Sequence, residues 1–391
     1  MELTTQQNKV FEQIKVFLKS DASVFILRGY AGTGKTTMVK VIADYIKQNR
    51  QLVMMAPTGR AARVLNKKTG HDAVTIHKAI YGKAHVQPKK VKDVAESEFK
   101  FVFPINQSEN GGNIVAIVDE ASMVCSRKIE HELFMFGTDN QMDDLLTFVR
   151  PNFGGKVIFV GDPAQLPPVG ESVSNALRAE YFQEKGLKVI EAELTEVLRQ
   201  KNDSVILKNA MMIRDLLKKD KRNQLVFEEQ KDDVEMVPSE QFLDKYLKYR
   251  KESGRHDSVI ICFSNKSANR YNRDIRKALY GGDVPLREND ILLITQNNYR
   301  LGLMNGEFVP VLSVGARTQQ SAPVYAQIGG KKERIVITLN FIQVTVPDSN
   351  GNPKPCMLLE DLLTSDKATI SIDENRALYI NFCMRHPDLK Q

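Results

Sequence analysis

Residues 24–36 read VFILRGYAGTGKT, a short apolar run followed at once by a glycine-rich turn. Val24–Leu27 has the unbroken apolar character of a strand buried on both faces of a parallel sheet. The turn, residues 29–36, fits G-x-x-x-x-G-K-[ST]; beyond it Met38, Ile42, Tyr45 and Ile46 recur at helical spacing. Strand, turn and helix in that order are the setting in which this pattern binds phosphate. Gly32 and Gly34 let the backbone wrap tightly, so the N–H groups of Gly32 through Thr37 point at phosphate oxygens, and the helix start adds a favourable dipole. Lys35 is expected to reach the β- and γ-phosphates, and Thr36 to ligate Mg²⁺. Such a string arises by accident in roughly one chain in a hundred of this length. The expected ligand is ATP with Mg²⁺.

Three further apolar runs, Leu52–Ala56, Ile114–Val118 and Val157–Val160, alternate with helical patterns and extend the strand at 24–27 into an open α/β sheet. Asp119-Glu120 closes the third strand. At a strand end beside a P-loop, Asp119 can hold the metal and Glu120 can polarise the attacking water. Gln165 follows the fourth strand in GDPAQLPP (161–168), where an uncharged amide can hydrogen-bond the γ-phosphate or its water. Residues 83–113 interrupt the rhythm with a basic cluster, Lys89–Lys92, and a stretch FKFVF (99–103) that reads either as a strand-separating wedge or as the core of a small insertion. A second α/β pattern starts near residue 194, with Val259–Phe263 as a strand. From about 300 short alternating runs with turn signals at Gly329-Gly330 and Asn350-Gly351 indicate a β-rich part.

The 391 residues call for two to three domains. The charge of +7 and pI near 9.0 favour a polyanionic partner. Four scattered cysteines form no CxxC pair, so neither a zinc site nor a disulfide framework is expected. No apolar run is long enough to span a bilayer, and the expectation is a soluble cytoplasmic protein.

Taken in order, these motifs resemble those of superfamily-one helicases, within them the Pif/RecD/Dda-like group, and DDLLTFVRPNFGGKVIFVGDPAQLPPV (143–169) is close to the signature of the Pif type. Leu3–Gln7 resembles the family's glutamine motif, which implies that Gln7 reads the adenine edge. APTGRAA (56–62) and Thr75–His77 are similar to segments that grip the DNA backbone, implying contacts from Thr58, Arg60, Thr75 and His77. LTEVLRQ (194–200) implies that Arg199 reaches the γ-phosphate from the far side. FSNKSANRYN (263–272) and NNYRLGLMNGE (297–307) resemble second-core segments, implying DNA contacts from Ser264, Asn265, Lys266 and Asn298.

The resemblance implies two RecA-like P-loop domains. They would comprise residues 1–193, with the small insertion 83–113, and residues 194–299, with an SH3-like β-rich insertion at 300–391. It implies an ATP-dependent helicase moving 5′ to 3′ on single-stranded DNA, acting as a monomer on single strands and forked duplexes, with no membrane partner. The family's last two motifs are not visible, so the second core is expected to be incomplete. The alternatives are an ATP-binding, single-strand-binding module with little turnover, and a P-loop ATPase acting on protein or RNA.

Overall fold

The computed structural model describes residues 3–88, 99–106, 114–131, 133–196, 204–219, 221, 224–253, 258–282, 284–298, 300–366 and 369–386. They fall into two compact units, Met1–Gln87 with Lys100–Val234, and Pro88–Phe99 with Glu235–Gln391.

The first unit runs α1 (Thr5–Lys19), β1 (Val24–Gly29), α2 (Lys35–Ile46), β2 (Gln51–Ala56), α3 (Gly59–Thr69), β3 (Ala73–Thr75) and α4 (Ile76–Ile80). It continues with β4 (His85–Pro88), β5 (Phe99–Phe103), β6 (Ile114–Val118), β7 (Phe134–Phe136), α5 (Gln141–Val149), β8 (Lys156–Gly161), α6 (Ala179–Glu184), β9 (Val189–Leu194) and α7 (Val205–Lys218). Six strands form one parallel sheet in the order β3-β2-β6-β8-β1-β9.

The four expected strands are its centre, and the reason is visible in their sequences. Every residue of β6 and β8 is buried, because helices cover both faces. Alternate residues divide between two cores. Val24, Ile26, Ala116, Val118, Val157 and Phe159 face α4, α5 and α6. Phe25, Leu27, Val115, Ile117, Ile158 and Val160 face α1 and α2, where Ile14, Phe17, Met38 and Ile42 meet them. Each of these side chains larger than alanine contributes about 1.5–3 kcal/mol relative to exposure.

The sheet's edges were not legible as apolar runs. β3 is three residues long, and β9 reads VIEAEL with Glu191 and Glu193 facing out, as an edge strand allows. β9 pairs with β1 from Val24↔Val189 to Gly29↔Leu194, so the expected division at 193/194 falls inside a strand of the first sheet.

A separate sheet, ordered β4-β5-β7, holds the insertion. Phe101 stacks on Phe134 at 5.7 Å and Phe103 on Phe136 at 4.4 Å. The FKFVF stretch therefore forms a small core, recruiting β7 from 30 residues downstream. The lysine cluster 89–92 lies outside the described residues.

The second unit contains α8 (Ser239–Ser253), α9 (Asn265–Tyr280), β10 (Ile291–Leu293), β11 (Phe308–Pro310), β12 (Ser313–Ile328), β13 (Lys331–Pro347), β14 (Pro353–Leu359) and α10 (Ile372–Arg385). β10 pairs with β11, and β12-β13-β14 form an antiparallel sheet whose long hairpin turns at Gly329-Gly330 (φ +57° and +81°). Its base packs Ile342, Val344 and Val346 against Leu303 and Val309, while its outer half packs Ala322 and Val324 against Ala377 and Ile380 of α10.

The strand expected at Val259–Phe263 is not formed. No neighbouring strand among the described residues supplies its hydrogen bonds, and Val259, Ile261 and Phe263 are 65%, 90% and 106% exposed. An apolar run becomes a parallel strand only where a partner ladder exists.

Candidate functional site

The glycine-rich turn connects β1 to α2 as expected, with Gly32 and Gly34 both at φ +83°. That left-handed conformation is open to glycine at no steric cost and strained for other residues. Gly34 is also the N-cap of α2, and no side chain caps this helix. By contrast, α1, α3, α4 and α5 are capped by Thr4, Thr58, Thr75 and Asn140. The first N–H groups of α2 are thus left for an anion.

Lys35 Nζ donates to the carbonyls of Gly29 at 2.6 Å and Tyr30 at 3.0 Å, which holds the ammonium over the loop. Thr33 is 1% exposed, and its Oγ1 donates to the Tyr30 carbonyl at 2.8 Å. Thr36 and Thr37 occupy the first turn of α2, half-buried.

Asp119 and Glu120 stand at the end of β6. Burial, and then the neighbouring Glu120 charge, push the Asp119 carboxyl from 3.8 up to about 6, although Lys35 and Lys68 pull the other way. Glu120 has φ +52°, and its Oε2 is buried without a hydrogen-bond partner. A non-glycine residue in the left-handed region is rare, and here it is the residue expected to polarise the attacking water. Gln165 lies exposed on the loop after β8 and accepts a long 3.5 Å hydrogen bond from the Ser122 hydroxyl. Ser122 itself is fully buried. The structure therefore brings the acidic and amide loops together at the strand ends beside the P-loop.

Gln7, the residue that the glutamine-motif resemblance puts at the adenine edge, is held at the start of α1. It is 3% exposed and closes a capping box: its Oε1 accepts from Thr4 N–H at 3.1 Å, and its N–H donates to Thr4 Oγ1 at 3.2 Å. Its neighbour Gln6 ties α1 to the end of β9. Gln6 Nε2 donates to Thr195 Oγ1 at 2.9 Å, and its Oε1 accepts from the N–H groups of Thr195 and Glu196 at 3.1 and 3.2 Å. Arg199 lies outside the described residues.

The DNA-contact candidates of the first unit are spread over α3 and α4. Thr58 and Thr75 use their hydroxyl oxygens as caps, accepting from Ala61 N–H at 3.2 Å and Lys78 N–H at 3.1 Å. Each hydroxyl keeps its proton to donate. Arg60 is exposed on α3.

His77 keeps an exposed edge but is otherwise packed: its ring lies 5.2 Å edge-on to Phe136, and Nδ1 is 3.2 Å from Gln141 Nε2. Burial lowers its pKa, so it offers a neutral imidazole and not a cation. Beneath it, fully buried Asp144 accepts from Tyr81 Oη and Thr138 Oγ1, each at 2.7 Å. This network joins α4 to the Pif-type signature, and sequence spacing gave no sign of it.

In the second unit Ser264 caps α9, accepting from Ser267 N–H at 3.2 Å, and Asn265 and Lys266 are exposed in its first turn. Asn298 bridges to Leu303 and accepts from Leu301 N–H at 3.1 Å. Among the described residues no cluster of His, Cys, Asp and Glu forms a separate metal site, and no helix is long and apolar enough to cross a membrane.

These elements define a P-loop domain, and a family model for the AAA domain AAA_30 matches residues 2–238. The chain belongs to that family. Among curated proteins it is 32% identical over 169 residues to the ATP-dependent RecD2 DNA helicase of Deinococcus radiodurans, covering 43% of this chain and 18% of that one. It is 25% identical over 316 residues to the ATP-dependent DNA helicase dda of Enterobacteria phage T4, covering 78% of this chain and 64% of that one. The chain thus spans less than two thirds of either relative. Among solved structures, Bacteroides Pif1 bound to ssDNA is 19% identical, with 88% of this chain and 81% of that chain covered and a TM-score of 0.45.

Proposed function

We propose that this chain is the motor of an ATP-dependent DNA helicase that moves 5′ to 3′ on single-stranded DNA and unwinds forked duplexes as a monomer. The observation that carries the nucleotide part is the α2 N-terminus: uncapped, glycine-wrapped, and with Lys35 resting on loop carbonyls beside two strand-end carboxylates. ATP places its phosphates on the N–H groups of Gly32 through Thr37. Lys35 exchanges the Gly29 and Tyr30 carbonyls for phosphate oxygens. Gln7 reads the adenine edge, a role supported by the resemblance of Leu3–Gln7 to the glutamine motif.

The residues present fit Mg²⁺. Two adjacent carboxylates, one with a raised pKa and one with an orphaned oxygen, form a site that a cation relieves. Thr36 and Asp119 would hold the ion, which would neutralise charge on the phosphates. Glu120 takes the proton of the attacking water, Gln165 orients that water, and Arg199 approaches from the far side.

The DNA part rests on the motif resemblance and on the basic charge of +7. Thr58, Arg60, Thr75 and His77 line one strand-gripping surface, and Ser264, Asn265, Lys266 and Asn298 a second. Donors to phosphate serve a translocating protein better than base readers, because every sequence must pass.

The test is steady-state ATP hydrolysis with and without single-stranded DNA. Strong stimulation that disappears in Lys35→Ala is expected. DNA binding without hydrolysis would refute the motor and leave a binding module. Stimulation by RNA and not DNA would reassign the substrate.

A further inference from the structure

In the loop GYAGTG (29–34) a single residue has a large side chain, and that residue is Tyr30. Contacts reach it from two sides. Its carbonyl accepts from Lys35 Nζ at 3.0 Å, Thr33 Oγ1 at 2.8 Å and Thr33 N–H at 3.3 Å. Its ring, in a residue 8% exposed, lies against the Arg214 guanidinium, whose Cζ is 4.3 Å from the ring centroid.

Arg214 comes from α7, a helix outside every motif noted in the sequence. Its side chain is 19% exposed, its Nε is buried without a hydrogen-bond partner among the described residues, and an Asp215 carboxylate oxygen stands 3.8 Å from that Nε. α7 itself is anchored. Val205 N–H donates to Asp233 at 2.7 Å, and Asn209 exchanges hydrogen bonds with the backbone of Glu228 at 2.8 and 2.9 Å. Arg214 is thus a cation on a fixed helix, its Nε unpartnered among the described residues, placed against the one bulky group of the phosphate loop.

We propose that Arg214 is a positioning residue of the nucleotide site: by holding the Tyr30 ring it fixes the Tyr30 carbonyl to which Thr33 donates through Oγ1 and N–H, and with it the shape of the phosphate-binding loop. The inference rests on the nucleotide reading above. Its physical basis is the glycine content of the loop. Gly29, Gly32 and Gly34 leave the backbone many conformations, and ordering it on ligand binding costs entropy. A guanidinium is more weakly hydrated than an ammonium and stacks on a ring face at small desolvation cost, so it can hold Tyr30 where an aliphatic contact would slide. A loop already shaped binds phosphate more tightly. Lys35, Asp119, Glu120 and Gln165 are untouched, so the effect falls on affinity and KM and spares turnover at saturation.

The experiment measures the Kd of a fluorescent adenine nucleotide with Mg²⁺ by anisotropy, and the KM and kcat of ATP hydrolysis, for wild type, Arg214→Ala, Arg214→Lys, Tyr30→Ala and the Arg214→Ala/Tyr30→Ala pair. Measurements are made well below the thermal transition, with circular dichroism to establish folding. Arg214→Ala is expected to raise Kd and KM about 2- to 30-fold, the range of a cation–ring contact, with kcat little changed. Arg214→Lys recovers part of the loss. The double variant binds no worse than the weaker single, because both remove one contact.

Unchanged Kd in Arg214→Ala, or losses that simply add, would overturn the proposal while leaving the nucleotide site intact. Wild type that binds no nucleotide would overturn both. If Arg214→Ala does not fold, Arg214→Lys with and without Tyr30→Ala completes the same cycle.

Discussion

Asp119→Asn should make the nucleotide-free protein more stable while weakening the metal site proposed for it. The substitution keeps the shape of the side chain and removes one of two adjacent carboxylate charges. In the folded chain the Asp119 proton is held at about 6, against 3.8 for an ordinary aspartate. That difference corresponds to about 3 kcal/mol of penalty for charging the group in the folded protein.

Between these two values the folded state binds the proton more tightly than the unfolded state, so wild-type stability falls as pH rises through the window. The asparagine has no such dependence. Its advantage is therefore nil below 3.8, about 1 kcal/mol at pH 4.5, and at its full value of about 3 kcal/mol above pH 7. For a domain of this size that is a rise in Tm of roughly 6–12 °C at neutral pH.

Thermal unfolding in EDTA at pH 4.5 and pH 8 checks it. Adding Mg²⁺ and ATP should then stabilise the wild type more than the variant, because the metal needs the ionised carboxylate. An advantage equal at both pH values, or none at pH 8, would refute the reasoning. Either result would mean that burial beside Glu120 does not carry the cost.

Three further outcomes are open to measurement. Tyr81→Phe removes a 2.7 Å donor from the buried Asp144 carboxylate and should cost about 2 kcal/mol in urea unfolding, since Thr138 still donates. In Gly155→Ala the new Cβ would lie 1.8 Å from the Val149 carbonyl oxygen, a backbone atom that cannot step aside. A loss of about 3 kcal/mol or more, or failure to express in soluble form, is expected. Arg60→Ala, on the exposed face of α3, should weaken binding to oligonucleotides of any sequence and reduce the slope of log K against log salt by roughly 0.7; an unchanged slope would remove Arg60 from the DNA surface.

The central strands and the P-loop were legible because their determinants are local. Four apolar runs with no polar interruption must be buried on both faces, and three glycines within six residues must be a turn. The edge strands were not legible, since β9 alternates apolar and acidic residues and pairs only because β1 presents a free ladder. The converse error has the same cause. Val259–Phe263 has a strand's composition, but no described strand pairs with it.

Among the proposed site residues, the placement of Lys35, Asp119, Glu120 and Gln165 on the loops after the strands follows from position within a motif. The burial of Gln7 in a capping box could have been read from Thr4 and Gln7 themselves, which stand at the spacing of that motif. The neutral packing of His77 could not, because Phe136 and Gln141 lie about sixty residues further along.

The amino-acid order from Val24 to Thr37 is sufficient to predict the glycine-wrapped turn and the helix start that follows it, since both are properties of neighbouring residues. The company that loop keeps was decided by folding. Asp119 acquires its raised pKa from burial, and Arg214 meets Tyr30 across a separation of 184 positions. Charge and packing act through space, and only the assembled sheet and its helices set those distances.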